Sequence, residues 1–188
     1  MRKNAIYNSR DIVRYDGSND RLVCGDVMDL QYGNLSIFCT VKIIGDNGAI
    51  LGKSAASNVT TRYFFIRENG IIIFSAHTPD FWKQHLIQNS DSSTNFRLLS
   101  ANWQRESGMY IRINKSQITS VSTSGDSDYW DSSYVFEIGN YQTSTGAEGN
   151  LVPLSGDIGE ILVYIGPALT TDQRDLVENY LYNRWGII

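Results

Sequence analysis

The sequence predicts an all-β protein, a two-sheet antiparallel sandwich of jelly-roll type closed by one C-terminal α-helix. Three observations carry this expectation. About ten short apolar runs alternate with clusters of Gly, Asn, Asp and Ser, a pattern that suits two packed sheets rather than βαβ units. Charged residues are only 19% of the chain, while 11 Tyr and 7 Phe favour pleated, half-buried surfaces. One helical pattern follows the last strand, and a helix of that length is marginal alone in water, so it must dock on something apolar.

The first clear strand pattern is Ile12 to Tyr15, followed by five turn-formers, Asp16-Gly17-Ser18-Asn19-Asp20. Leu22 to Cys24 reads as a short strand. Leu35 to Ile44 is the strongest strand. Its odd positions, Leu35, Ile37, Cys39, Val41 and Ile43, face a core. Its mixed even face, with Phe38 and Lys42, lies against something partly apolar or partly wet. Ala49 to Gly52 returns after the turn Gly45 to Gly48. Tyr63 to Arg67 and Ile71 to Phe74 flank Glu68-Asn69-Gly70, and Asn-Gly tolerates the positive φ of a tight hairpin turn.

His77 to Asn95 is long, polar and punctuated, with Phe81 and Trp82 inside it. It reads as an excursion between strands. Phe96 to Trp103 and Met109 to Ile113 form a further pair, then Ile118 to Val121 a short strand. Two polar loops, Ser122 to Ser133 and Asn140 to Asn150, surround the strand Tyr134 to Ile138. Gly156 to Ile165 is the last strand. Thr170 and Gln173 are spaced as a capping box, Leu176, Val177, Tyr180, Leu181 and Trp185 share one helical face, and Gly186 is the stop.

The length of 188 residues suits one domain, 1–188, with a substantial core. The net charge of -4 offers no basic footprint for nucleic acid and disfavours anionic membrane surfaces. No apolar run nears the roughly 20 residues that cross a bilayer, so no membrane insertion is expected. Met1 to Arg10 is polar and lacks the apolar core of a secretion signal. Cys24 and Cys39 read as reduced, buried small residues, with a disulfide as the alternative. His77 and His85 have no Cys at zinc-ligand spacing.

Two segments, taken together, resemble a known family. Val13-Arg14-Tyr15-Asp16-Gly17-Ser18-Asn19-Asp20-Arg21-Leu22 is similar to the entry motif of laminin-G-like domains of the concanavalin A-like lectin/glucanase superfamily. Gly156-Asp157-Ile158-Gly159-Glu160-Ile161-Leu162-Val163-Tyr164, then Ala168-Leu169-Thr170 and the helix ending in Trp185-Gly186, resembles the exit of the same family. The ordered pair frames nearly the whole chain and points to fold more than to function. Many members carry a further strand region before the entry motif. Only about a dozen residues precede it here, so the domain is short, or the start of its sandwich is missing or supplied by another chain. The family is common in surface and adhesive proteins and in structural proteins of bacteriophages. The resemblance therefore implies a binding or adhesion module on a virion surface, or otherwise an extracellular or cell-surface location.

Catalysis is not expected. Glucanases on this fold resemble one another in a strand with Glu-x-Asp-x-x-Glu, which sets two carboxylates on one face, and no such triplet occurs. Glu160 has no facing acid partner in sequence, and no nucleophile elbow, phosphate loop or metalloprotease helix is present. Glycan binding is the leading function. Sugar sites pair an aromatic face with amides and carboxylates that bond hydroxyls. Asp128, Tyr129, Trp130 and Asp131 supply that mix in one loop, and Asn140, Tyr141 and Gln142 in the next. Trp103 with Asn102 is a third option, although Trp103 and Trp185 read as core. No cofactor is required. Calcium is open at Asp16, Asn19 and Asp20, whose alternative is an Asx-type turn. The competing class is a structural virion protein, a capsid decoration or fibre subunit working through protein–protein contacts, with sheet edges open to homo-oligomer formation. Sequons at Asn34, Asn58 and Asn114 matter only on a eukaryotic secretory route.

Overall fold

The computed structural model describes residues 3–31, 33–53, 62–77, 84–90, 93–105, 107–121, 134–140 and 152–187. In chain order the strands are β1 (Lys3–Tyr7), β2 (Arg10–Asp16), β3 (Leu22–Val23), β4 (Asn34–Ile43), β5 (Gly48–Lys53), β6 (Arg62–Glu68) and β7 (Ile71–His77). They continue with β8 (Gln84–Ser90), β9 (Arg97–Gln104), β10 (Gly108–Ile113), β11 (Ser116–Val121), β12 (Phe136–Ile138) and β13 (Ser155–Gly166). The helix α1 (Thr171–Trp185) follows. One sheet has the order β1-β2-β13-β4-β9-β10-β11 and the other β3-β12-β5-β6-β7-β8. The pairings are antiparallel, and the architecture is the expected β-sandwich with one helix.

Strand β4 explains how the layers stack. Leu35, Ile37, Cys39, Val41 and Ile43 are fully buried between the sheets, beside Phe65, Phe74 and Trp103. The even face points outward, where Phe38 joins Leu98, Leu181 and Trp185 in a second core beneath the helix. A strand buried on both faces cannot show clean alternation, which is why its even positions are mixed. The molecule is thus three layers: helix, seven-stranded sheet, six-stranded sheet.

Turn chemistry sets the hairpins. Asn69 and Gly70 both take positive φ (50° and 74°) between β6 and β7, as the Asn-Gly pair predicts. Asn8-Ser9 and Asn114-Lys115 do the same between β1 and β2 and between β10 and β11. Two strands differ from the sequence reading. β1 precedes the first recognised pattern, and β8 lies within the stretch read as an excursion, pairing with all of β7. Each is the outer strand of its sheet. Both are rich in polar residues, Lys3 and Asn4 in β1 and Gln84, His85, Gln88, Asn89 and Ser90 in β8, so their hydrophobic signal is weak.

The helix ends are as expected. The Thr170 hydroxyl accepts from the Gln173 N–H at 3.2 Å, the Gln173 side chain accepts from the Thr170 N–H at 2.9 Å, and Gly186 closes the helix at φ 58°. Its buried face is rotated from the predicted one. Leu181 and Trp185 are buried, but Leu176 and Tyr180 are exposed at 69% and 47%. Glu178 occupies the buried stripe instead, accepting from the Ser100 hydroxyl at 2.6 Å and pairing with Arg112 at 3.0 Å. Two specific polar bonds outweigh the choice of a more apolar face.

Cys24 and Cys39 are both free thiols. Burial raises both above the ordinary thiol value, Cys39 most because it lies wholly inside the core.

Candidate functional site

Most residues of the two polar loops, Asp128, Tyr129, Trp130, Asp131, Tyr141 and Gln142, lie outside the described residues, as do Phe81, Trp82 and Asn58. Asn140 is described and is buried. Its amide donates to Glu137 at 3.2 Å, and Glu137 pairs with Arg21 at 3.3 Å. Trp103 and Trp185 are core residues, and Asn102 is buried with them. The Asn34 amide donates to the Gly166 carbonyl while its oxygen accepts from Arg105, and the Asn114 oxygen accepts from Leu98. Both sequon side chains thus fasten strand ends.

The Asp16-to-Asp20 loop is built on its own carboxylates. Asp16 accepts from the Ser18 N–H at 2.8 Å and Asp20 from the Asp16 N–H at 3.2 Å, with Gly17 at φ 82°. Asn19 is exposed in the same turn. Among the described residues no three His, Cys, Asp or Glu side chains gather as a metal site.

The geometry singles out a groove on the outer face of the seven-stranded sheet. Register places Arg14, Asp157 and Lys42 side by side on β2, β13 and β4. Side chains in register across neighbouring strands share a face, so the three form one row. Asp157 is almost wholly buried, and both its oxygens accept from Arg14, at 2.7 and 3.1 Å. That bond, with the charge of Asp157, raises the Arg14 guanidinium above its ordinary value. The bidentate grip fixes the guanidinium plane while leaving the group half in solvent. Lys42 has no partner among the described residues.

An aromatic ladder forms the wall of this row. Tyr7 stacks on Phe96 at 4.2 Å between centroids, and Phe96 on Trp185 at 5.7 Å. The groove is about 440 Å³, lined by Tyr7, Ile12, Arg14, Lys42, Asn95, Phe96 and Asp157. It therefore offers aromatic surface, a fixed guanidinium, a free ammonium and an amide in one place. That chemistry suits a polyhydroxylated ligand with an acceptor-rich edge. No local stretch of sequence signals it, because its residues run from Tyr7 to Asp157. The only hint was that Arg14 and Asp157 belong to the two framing motifs.

Glu160 does different work. Its carboxylate accepts from Trp185 at 3.1 Å and Tyr180 at 3.2 Å and pairs with Arg184 at 2.9 Å. It is an anchor for the helix.

No protein-family model and no curated protein matches the sequence. Solved structures do match. The binding domain of botulinum neurotoxin serotype G aligns at TM-score 0.70 with 15% identity, over 96% of this chain and 47% of that one. The serotype D ligand-binding domain in complex with N-acetylneuraminic acid aligns at 0.67 with 12% identity, over 98% and 47%. Domains LG4-5 of the mouse laminin α1 chain align at 0.60 with 14% identity, over 81% and 40%. The chain spans about half the length of the neurotoxin domains it matches. At these identities the likeness is one of fold, and that fold is the concanavalin A-like, laminin-G-like sandwich.

Proposed function

We propose that the protein is a non-enzymatic glycan-binding module and that the groove over Arg14, Asp157 and Lys42 receives the sugar. The observation that carries this reading is the Tyr7–Phe96 aromatic wall standing beside the Lys42 ammonium, which has no partner among the described residues, and a guanidinium held in a fixed plane. A sugar's C–H face packs on the ring while its oxygens accept from Arg14, Lys42 and Asn95. Neighbours of the same fold are named as binding domains, one of them in complex with a sugar, which supports the class. Asp128 to Asp131, and Tyr141 and Gln142 beyond the buried Asn140, extend the proposal as secondary contacts. A virion or cell-surface setting goes with this reading and rests on the sequence resemblance alone.

The test is a glycan array followed by calorimetry on the strongest hit. Lys42→Ala and Tyr7→Ala each weaken that binding about tenfold, the loss of one charge-assisted or stacking contact. An array without hits, or hits that both variants bind as well as the parent protein, removes the groove from consideration.

A further inference from the structure

The edge of β13 is covered over only part of its length. β4 pairs with one side from Gly156 to Gly166, whereas β2 pairs with the other side only from Ser155 to Ile158. The register shifts at Gly159, and β2 leaves the strand there. Its Arg10 side chain reaches instead to the Arg184 carbonyl at 2.7 Å. Among the described residues no strand pairs with the outer edge from Glu160 to Gly166.

The side chains record the same gap. Cys39, Ile37 and Leu35 of β4 are fully buried, while their partners on β13, Ile161, Val163 and Ile165, are only partly buried although they pack on the same core. On the other face Tyr164 is exposed. A half-covered apolar strand with free edge groups is a template for another strand. Strands β11 and β8 meet at the opposite side of the sandwich. The β3 edge therefore shares the open side, and it adds exposed Leu22, Val23, Val27 and Met28.

We propose that this edge pairs with the same edge of a second copy, antiparallel about a two-fold axis through Val163. The uncovered stretch reads the same in either direction as a pattern of faces. Centred on Val163, Ile161 lies opposite Ile165 of the other copy, and Leu162 lies opposite its Tyr164. Each apolar residue thus meets an apolar residue on its own face, which is what an isologous contact requires. The second copy covers both the free backbone groups and the half-exposed inner side chains. This surface is separate from the groove, so glycan binding and pairing fail independently.

Cross-linking tests the register. In a Cys24→Ser background, Val163→Cys places two sulfurs opposite each other at the axis, and mild oxidation gives a disulfide-linked dimer. Leu162→Cys places its sulfurs on strands offset by two residues, beyond the roughly 7 Å Cα separation a disulfide spans, and stays uncross-linked. Light scattering of the parent protein at tens of micromolar gives a dimer, and Tyr164→Lys, at an exposed position of the same edge, shifts it to monomer. A parent protein that is monomeric throughout overturns the proposal. So does a dimer in which Val163→Cys fails to cross-link, or a monomer that pairs only with a foreign extended peptide.

Discussion

The Ser100 hydroxyl on β9 donates to the Glu178 carboxylate of the helix at 2.6 Å, at a place from which water is excluded. Burial raises the Glu178 carboxyl above its ordinary value. The bond from Ser100 and the charges of Arg112 and Arg174 oppose the rise, and Asp175 adds to it. The folded protein therefore holds this proton more tightly than the unfolded chain. The linked stability is fully present below the ordinary glutamate value of 4.5 and is lost as pH rises through the folded value. Glu178→Gln removes the titration and keeps a hydrogen-bonding group. Urea midpoints measured across pH should show the parent protein gaining on the variant as pH falls. A constant difference contradicts this account.

The rotated helix face has its own test. Leu181→Ala empties a buried site and should cost about 2–5 kcal/mol. Leu176→Ala, on the exposed side, should stay within about 0.5 kcal/mol. Thermal melts of the two variants separate the observed face from the predicted one, which treats both residues as core.

Gly139 cannot carry a side chain. Its φ is 79°, and an added Cβ would sit 2.0 Å from Cε1 of the Tyr15 ring. Gly139→Ala should destabilise by more than about 2 kcal/mol, because backbone strain and overpacking act together. Chemical denaturation reads this directly, and a neutral result means that Tyr15 has room to turn away.

Lys53 is a buried ammonium. It bonds Asp26, Asp29 and the Val27 carbonyl, each at 2.8 Å, and so fastens the chain after β3 against β5. Lys53→Met strands the inner carboxylate and should cost about 3 kcal/mol. The loss should appear as faster amide exchange in residues 26–31. Unchanged exchange there assigns the fastening elsewhere.

The sandwich was legible in the sequence wherever alternate residues of a strand enter the inner core, or where a turn or cap demands a particular residue. The odd positions from Leu35 to Ile43 are a case of the first, and the Asn69-Gly70 turn and the Thr170 capping box are cases of the second. The helix face was misread because Glu178 looks like a surface residue until Arg112 and Ser100, more than sixty residues away, are placed beside it. The groove was invisible for the same reason. Arg14, Lys42 and Asp157 become neighbours only through strand register, which hydrophobic periodicity does not encode across the chain. Asn140 shows the converse limit. A polar residue in a polar stretch looked solvent-facing, but it lies inside, bonded to Glu137.

The partnership of β2 with β13 has a consequence for how the chain comes into being. Arg14 is held by Asp157, and Arg10 by the carbonyl of Arg184. The β1–β2 hairpin thus has no sheet to join until β13 has been made. A growing chain must keep β4, which ends up buried on both faces, from associating with the wrong neighbour until β13 and the helix leave the ribosome. A chain ending before Ser155 leaves Phe38 and the flank of Cys39 bare.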